Sequence, residues 1–354
     1  MKKLEFNTQD KFGKSKCHKI HVGKENLLCP DLKVHGTEMG LVTDDTYLGD
    51  IISHDGTNTK NVQNRVGKGL GIISEVMNIL ETVSFGQYYF LIAMTLRESM
   101  FLNGILTNCG VWYNLKTSEI EDLEELDRML LRKIFNTKTT CPKEALYLES
   151  GALPIGVIVK SRRLNYLHYL VKENGETMLS KFFHAQWNSE VKNDWTSQIR
   201  IDLADFCLPE DLDYIKSKSE YSFKRMIKVK ALEYAIGELN SMKGSKMANT
   251  FHSKLEMRSY LKLDKINPDD ARMIFSYRTR MANFSENFRG PGGPKLCPLC
   301  STHLDNQQMA FTCPVVKPNL STGKYEALFR DEIPMETVKN LRIITKLREE
   351  YLNK

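Results

Sequence analysis

The chain lacks any long apolar run free of charge. Its most apolar stretch, residues 91–106, carries Arg97 and Glu98 at its centre. That pattern fits a packed helix and excludes a simple membrane span. The start, Met1-Lys2-Lys3-Leu4-Glu5-Phe6, holds no apolar signal core. No internal repeat is present, which excludes solenoids and propellers. The eight cysteines fall at mostly irregular spacing, so they do not read as a disulfide scaffold. An intracellular, reducing compartment is expected, cytoplasmic or nuclear. Cys17, Cys29, Cys109, Cys141 and Cys207 lack ligand spacing and read as small apolar residues. His18, His21 and His35 follow no catalytic order and read as surface or core histidines.

What is present is an ordinary folded composition: 354 residues, 41% hydrophobic and 27% charged, enough for two or three domains. The net charge of +6 is unevenly placed. Residues 216–295 hold 17 Lys and Arg against 8 Asp and Glu, so the remainder is slightly acidic. A basic segment of this kind suits a polyanion such as RNA or DNA; the plainer reading is a solvated helical face.

The pattern predicts a mainly α fold with a small β element near the N-terminus. A short strand over Tyr47 to Ile52 ends in the turn His54-Asp55-Gly56. After N-caps at 57–59, Val62, Val66, Leu70, Ile73, Met77 and Leu80 recur at helical spacing. Helices are expected over 86–108 and 119–135, the latter burying Ile120, Leu123, Leu126, Leu130 and Ile134. Another spans 155–172, with Leu164, Leu167 and Val171 inward. Residues 174–213 look less regular. Basic helices follow over 215–239, 251–261 and 269–283, then the linker Gly290-Pro291-Gly292-Gly293-Pro294. A last helix covers 336–352.

Three groups of residues carry candidate chemistry. Cys297-Pro298-Leu299-Cys300 leads to His303 and Cys313. Two cysteines separated by two residues can turn both sulfurs to one tetrahedral ion, and His303 and Cys313 can complete a structural Zn2+ site. A His four residues before the last Cys would be commoner, but Met309 stands there, and thioether sulfur is a poor zinc ligand. Free thiols or a decayed site are the alternative. Asp44-Asp45 is a carboxylate pair of the kind that holds catalytic Mg2+, yet before Thr46 and Tyr47 it reads as a turn. Between 216 and 289, cations alternate with aromatics: Lys224, Arg225, Lys228 and Lys230 with Tyr221 and Phe223, then Arg272, Arg278, Arg280 and Arg289 with Phe275, Tyr277 and Phe284. Phosphate contacts are expected from Lys224, Arg225, Lys228, Arg278 and Arg280, with the aromatics mainly inward.

The order of motifs resembles the C-terminal half of reverse transcriptases from non-LTR retrotransposons. The run starts at Lys16-Cys17-His18-Lys19-Ile20-His21-Val22-Gly23-Lys24 and continues through Tyr47-Leu48-Gly49-Asp50-Ile51-Ile52-Ser53 with Asp55-Gly56. It goes on to Leu130-Leu131-Arg132-Lys133-Ile134-Phe135, Tyr147-Leu148-Glu149-Ser150-Gly151 with Pro154-Ile155, and Arg162-Arg163-Leu164-Asn165-Tyr166-Leu167. The cysteine knuckle ends it. Each motif is short; the series spans nearly the whole chain.

The resemblance implies a palm tail and primer-grip-like hairpin over 1–56, with Tyr47, Leu48 and Gly49 at the grip. It further implies a helical thumb over 57–150, a basic connector over 151–289, a knuckle over 290–320 and a closing helix over 321–354. The family's catalytic aspartates follow an aromatic plus one residue, before the palm tail, and would lie upstream of Met1. Asp44-Asp45 cannot replace them, because Val42 stands where the aromatic belongs. No catalytic residue is therefore expected here, and Mg2+ belongs to the full-length polymerase. The expected partners are RNA, an RNA–DNA hybrid or DNA, and no membrane. Two alternatives stay open: polymerase activity with a separate palm domain, and an inactive remnant with no nucleic-acid role.

Overall fold

The structure is a computed structural model that describes residues 18–20, 33–34, 37–38, 40–47, 49–173, 175, 177–189, 191–244, 253–262, 265–288 and 295–352. The chain divides into two compact units, Met1–Asn64 and Arg65–Lys354. Leu48 of the expected grip, Cys17, Cys29, His21, His35, Arg289 and the linker 290–294 lie outside the described residues.

Short strands make up the β element of the first unit: β1 (His18–Lys19), β2 (Lys33–Val34), β3 (Thr37–Glu38), β4 (Gly40–Leu41), β5 (Asp44–Tyr47) and β6 (Asp50–Ser53). β1 pairs parallel with β4, and β2 pairs antiparallel with β3. β5 and β6 form a hairpin in register from Asp44↔Ser53 to Tyr47↔Asp50. The single strand expected over Tyr47 to Ile52 is thus broken in two. Gly49, at φ +90°, takes the left-handed turn that an L side chain resists. Asp44-Asp45 opens β5 and does not form a turn. Asp44 accepts hydrogen bonds from Lys60 (2.5 Å), Ser53 (2.7 Å) and Thr43 (3.0 Å). Lys60 above all holds its carboxyl down to about 2.

The second unit is helical. It contains most of α1 (Thr59–Thr82), then α2 (Tyr89–Leu96), α3 (Asn103–Ile105), α4 (Thr117–Phe135), α5 (Lys143–Ser150) and α6 (Ile155–Lys172). It continues with α7 (Met178–Asn188), α8 (Trp195–Asp205), α9 (Leu212–Ser217), α10 (Glu220–Ser241), α11 (Pro268–Arg278), α12 (Gln307–Ala310) and α13 (Met335–Leu352). α1 turns inward much of the face expected, with Val62, Ile73 and Leu80 buried and Val66 and Met77 half-buried, but Leu70 departs from it. Arg65, Ile73, Val76 and Leu80 are buried, while Leu70 is exposed. The reason lies at Gly69, where a Cβ would meet Leu126 Cδ1 at 2.8 Å. The small residue lets α4 approach, and its neighbour Leu70 is turned away.

Between α2 and α3 the helix widens into a π-helical segment, Arg97–Leu102. It delivers buried Arg97 to Asp127 of α4 through two hydrogen bonds of 2.6 Å, and to the Leu153 carbonyl at 2.9 Å. The charge in the middle of the most apolar stretch is therefore an internal ion pair. α4 begins with the Glu119 carboxylate accepting from the Lys116 amide (2.9 Å). It buries Leu123, Leu126, Leu130 and Ile134 as the spacing predicts.

The stretch 174–213 holds two helices, α7 and α8, and the start of α9, where a less regular chain was expected. Local caps start α7 and α8: Thr177 accepts from the Ser180 amide, and Asp194 from the Ser197 amide at 2.7 Å. Conversely, described residues 253–262 hold only a single 3-10 turn, Ser259–Leu261, where a basic helix was expected. That segment runs hard against the end of α5. A Cβ on Gly151 would sit 2.1 Å from the Met257 amide nitrogen, and the Arg258 amide donates to the Glu149 carbonyl at 3.2 Å. Tertiary contact overrides helix propensity there. No helix among the described residues is long and apolar enough to cross a membrane.

Candidate metal centre and nucleic-acid face

The chain around the cysteines folds as a small hairpin. Leu296 and Leu304 form an antiparallel bridge. Asp305 donates to the Lys295 carbonyl (2.8 Å) and Cys297 to the His303 carbonyl (2.6 Å). At the tip, the Ser301 amide donates to the Cys297 carbonyl at 2.8 Å, and Ser301 takes φ +53°. This left-handed residue swings the following amides back toward the Cys300 sulfur. Cys313 joins from the chain after α12, which Asn306 caps by accepting from the Met309 amide (2.7 Å).

The sulfurs of Cys297, Cys300 and Cys313 lie within 4.8 Å of one another. Those of Cys297 and Cys313 are 3.9 Å apart. Four bonds of ~2.3 Å around a tetrahedral zinc would set sulfurs about 3.8 Å apart, so this donor set fits such an ion. The electrostatics favour thiolate at one position. Burial alone would raise the Cys300 thiol, but the Thr302 hydroxyl, the amides of Thr302 and His303, and the Cys313 thiol outweigh it and hold it near 6. Burial instead pushes Cys313 up to about 11.

Of the four expected ligands, the structure thus brings three together. His303 contributes its carbonyl to the hairpin, and its imidazole does not belong to the cluster. Hairpin geometry decides this: His303 faces Cys297 across the ladder through its backbone. The three cysteines could hold a metal ion; among the described residues no other His, Cys, Asp or Glu group of that kind occurs. The sequence signal missed Ser301 and Thr302, whose backbone and hydroxyl prepare the sulfur site.

The five expected phosphate contacts separate into two groups. On α10, Phe223, Ile227, Ala231, Ala235 and Leu239 recur every four residues and are buried. That face packs on α6. Lys224, Arg225 and Lys228 consequently stand outward with Tyr221, which is 77% exposed, and with Val229. These side chains and Leu232 line one open groove. Arg225 and Lys228 make no ion pair among the described residues, whereas Lys224 meets Glu220 at 2.5 Å.

Arg278 and Arg280 are different. Arg278 is buried and donates to Glu149 at 2.8 and 3.0 Å and to the Leu328 carbonyl. It is an internal ion-pair partner, which removes it from any phosphate-binding role. Arg280 is half-buried just beyond α11, at φ +55°. Neighbouring Arg272 is bound too: it donates to the Ile134 carbonyl (3.3 Å) and to Asp269 (3.0 Å). Phe275, Tyr277 and Phe284 are core residues. In the first unit, Tyr47 is exposed at the hairpin and Gly49 forms its turn.

The chain matches no protein-family model, no curated protein and no solved structure. The retroelement resemblance therefore rests on the order of motifs in the sequence.

Proposed function

We propose that this chain binds nucleic acid through the outward face of α10 and derives from the RNA-directed DNA polymerase of a non-LTR retrotransposon. On this reading it keeps thumb, connector and knuckle parts of that machine and acts by binding RNA or an RNA–DNA hybrid. It carries no aromatic-x-Asp-Asp turn, so binding without polymerisation is the activity proposed. One observation carries the reading. Lys224, Arg225 and Lys228 share a single exposed helix face with Tyr221, while the opposite face is locked into the core. A rigid cationic ridge of this kind contacts phosphates without reading base sequence.

A structural Zn2+ held by Cys297, Cys300 and Cys313 would fix the hairpin of the knuckle and supply no chemistry to a reaction. On this reading the Asp44–Ser53 hairpin, with Tyr47 exposed, corresponds to the family's primer grip and would meet a primer end when a separate palm domain is supplied. Primer extension by the chain alone is expected to be blank.

The test is fluorescence anisotropy of the purified chain with a labelled RNA across a salt series. Binding that weakens steeply with salt, and is much weaker in K224A/R225A/K228A, is the expected result. No binding at low salt would leave α10 as a solvated face.

A further inference from the structure

A cleft of about 550 Å³ opens between α6 and the start of α10, next to the basic groove and sharing Lys224 with it. That size lies within the roughly 300–1,000 Å³ range of small-ligand sites. Its walls differ from a plain cationic surface. The rings of Tyr166 and Tyr169 are stacked, 5.9 Å apart with 16° between their planes. Tyr166 is fixed edge-on against Trp195 at 5.7 Å. Tyr169 is 50% exposed, so part of its ring is open to a further layer.

His168 sets the width of the cleft. Its ring stacks on Phe223 at 4.6 Å, and its Nε2 lies 3.0 Å from the Lys218 carbonyl, tying α6 to the turn before α10. Asn165 lines the same cleft with a buried amide oxygen that has no partner among the described residues. A buried polar atom of that sort is destabilising unless something satisfies it. Lys172 and Lys224 stand at the rim. Glu220 lies there as well, paired with Lys224; a pair this exposed contributes little and yields to a phosphate.

We propose that this cleft receives one unpaired base of a single-stranded nucleic acid. The base stacks on Tyr169, its edge bonds the Asn165 amide, and the flanking phosphates meet Lys172 and Lys224. The inference rests on reading α10 as a nucleic-acid face and specifies the ligand as single strand over duplex. Paired bases cannot leave their stack without cost, whereas every unpaired base offers a π-face.

The experiment uses the full chain with two RNA probes of the same sequence, one single-stranded and one fully paired, each carrying one 2-aminopurine. The expected result is tighter binding of the single strand, with the 2-aminopurine fluorescence changed by stacking. Y169A should lower single-strand affinity on the order of 10-fold and leave duplex affinity unchanged. Y169F should restore it, and the exposed position keeps both variants folded. Equal affinity for both probes, with Y169A like the parent chain, would overturn the cleft and leave the α10 face standing. Absence of binding to either probe would overturn the α10 reading itself.

Discussion

Arg278 of α11 donates to both carboxylate oxygens of Glu149 at the end of α5, at 3.0 and 2.8 Å, with neither side chain reaching solvent. The Tyr260 hydroxyl donates to the same carboxylate at 2.9 Å. This pair joins segments more than a hundred residues apart in sequence. Removing one partner strands a buried charge, which costs about 3–5 kcal/mol. R278A is expected to lose that much in urea unfolding, and pairing it with E149L to recover a large part. A loss of RNA affinity in R278A without loss of stability would contradict the structural role.

The basic stretch shows which parts of this fold the sequence makes legible. The spacing of Phe223, Ile227 and Ala231 states which side of α10 is inward, so the outward cations follow directly. Nothing local marks Arg278 or Arg97 as buried, because their partners Glu149 and Asp127 lie far off along the chain. The same holds for residues 253–258, kept out of a helix where Glu256 and Met257 press against Gly151. In α1 the hydrophobic period pointed to Leu70, but the space left by Gly69 decided the packing. At the cysteine cluster, the spacing pointed to Cys297, Cys300, His303 and Cys313, and the fold gathers the three sulfurs while His303 meets Cys297 through its backbone.

Metal content tests that centre. Purified protein is expected to hold about one zinc per chain, lost in C297S and C313S and retained in H303A. Chelation should lower the melting temperature of the parent chain and leave that of C313S unchanged, since bound metal stabilises only the folded form. Zinc loss in H303A would mean that the imidazole swings in as the fourth ligand.

Acidity bears on the seam between α4 and α6. Glu124 accepts from the Gly156 amide at 3.3 Å and from Arg128 at 3.4 Å. Burial raises its carboxyl above the usual 4.5, against the pull of that amide and that guanidinium. The folded state then holds the proton more firmly than the unfolded state. The resulting stabilisation is complete below 4.5 and is lost as pH rises through the raised value. E124Q should therefore equal or slightly exceed the parent chain in stability at neutral pH, by no more than about 1 kcal/mol. It should also flatten the fall in stability above pH 4.5. Unfolding in urea at two pH values measures both effects. A variant markedly weaker at neutral pH would show the ion pair with Arg128 outweighing burial.

A salt series tests how many cations the proposed α10 face would commit to phosphate. Each neutralised phosphate releases counterions, giving a slope of log affinity on log salt of about −0.7 per contact for single strands and −0.9 for duplex. Lys224, Arg225 and Lys228 lie on one face within two helical turns, so a single backbone can meet all three. The triple alanine variant should flatten the slope by about 2 to 3 units, as well as weaken binding. R225A and K228A should each remove a little under one unit. K224A should do the same, because its exposed pair with Glu220 yields to a phosphate. R272A should leave the slope unchanged, since its guanidinium is held by Asp269 and the Ile134 carbonyl. A slope that stays the same in the triple variant while affinity falls would mean that α10 acts through shape or stacking, with the phosphates bound elsewhere.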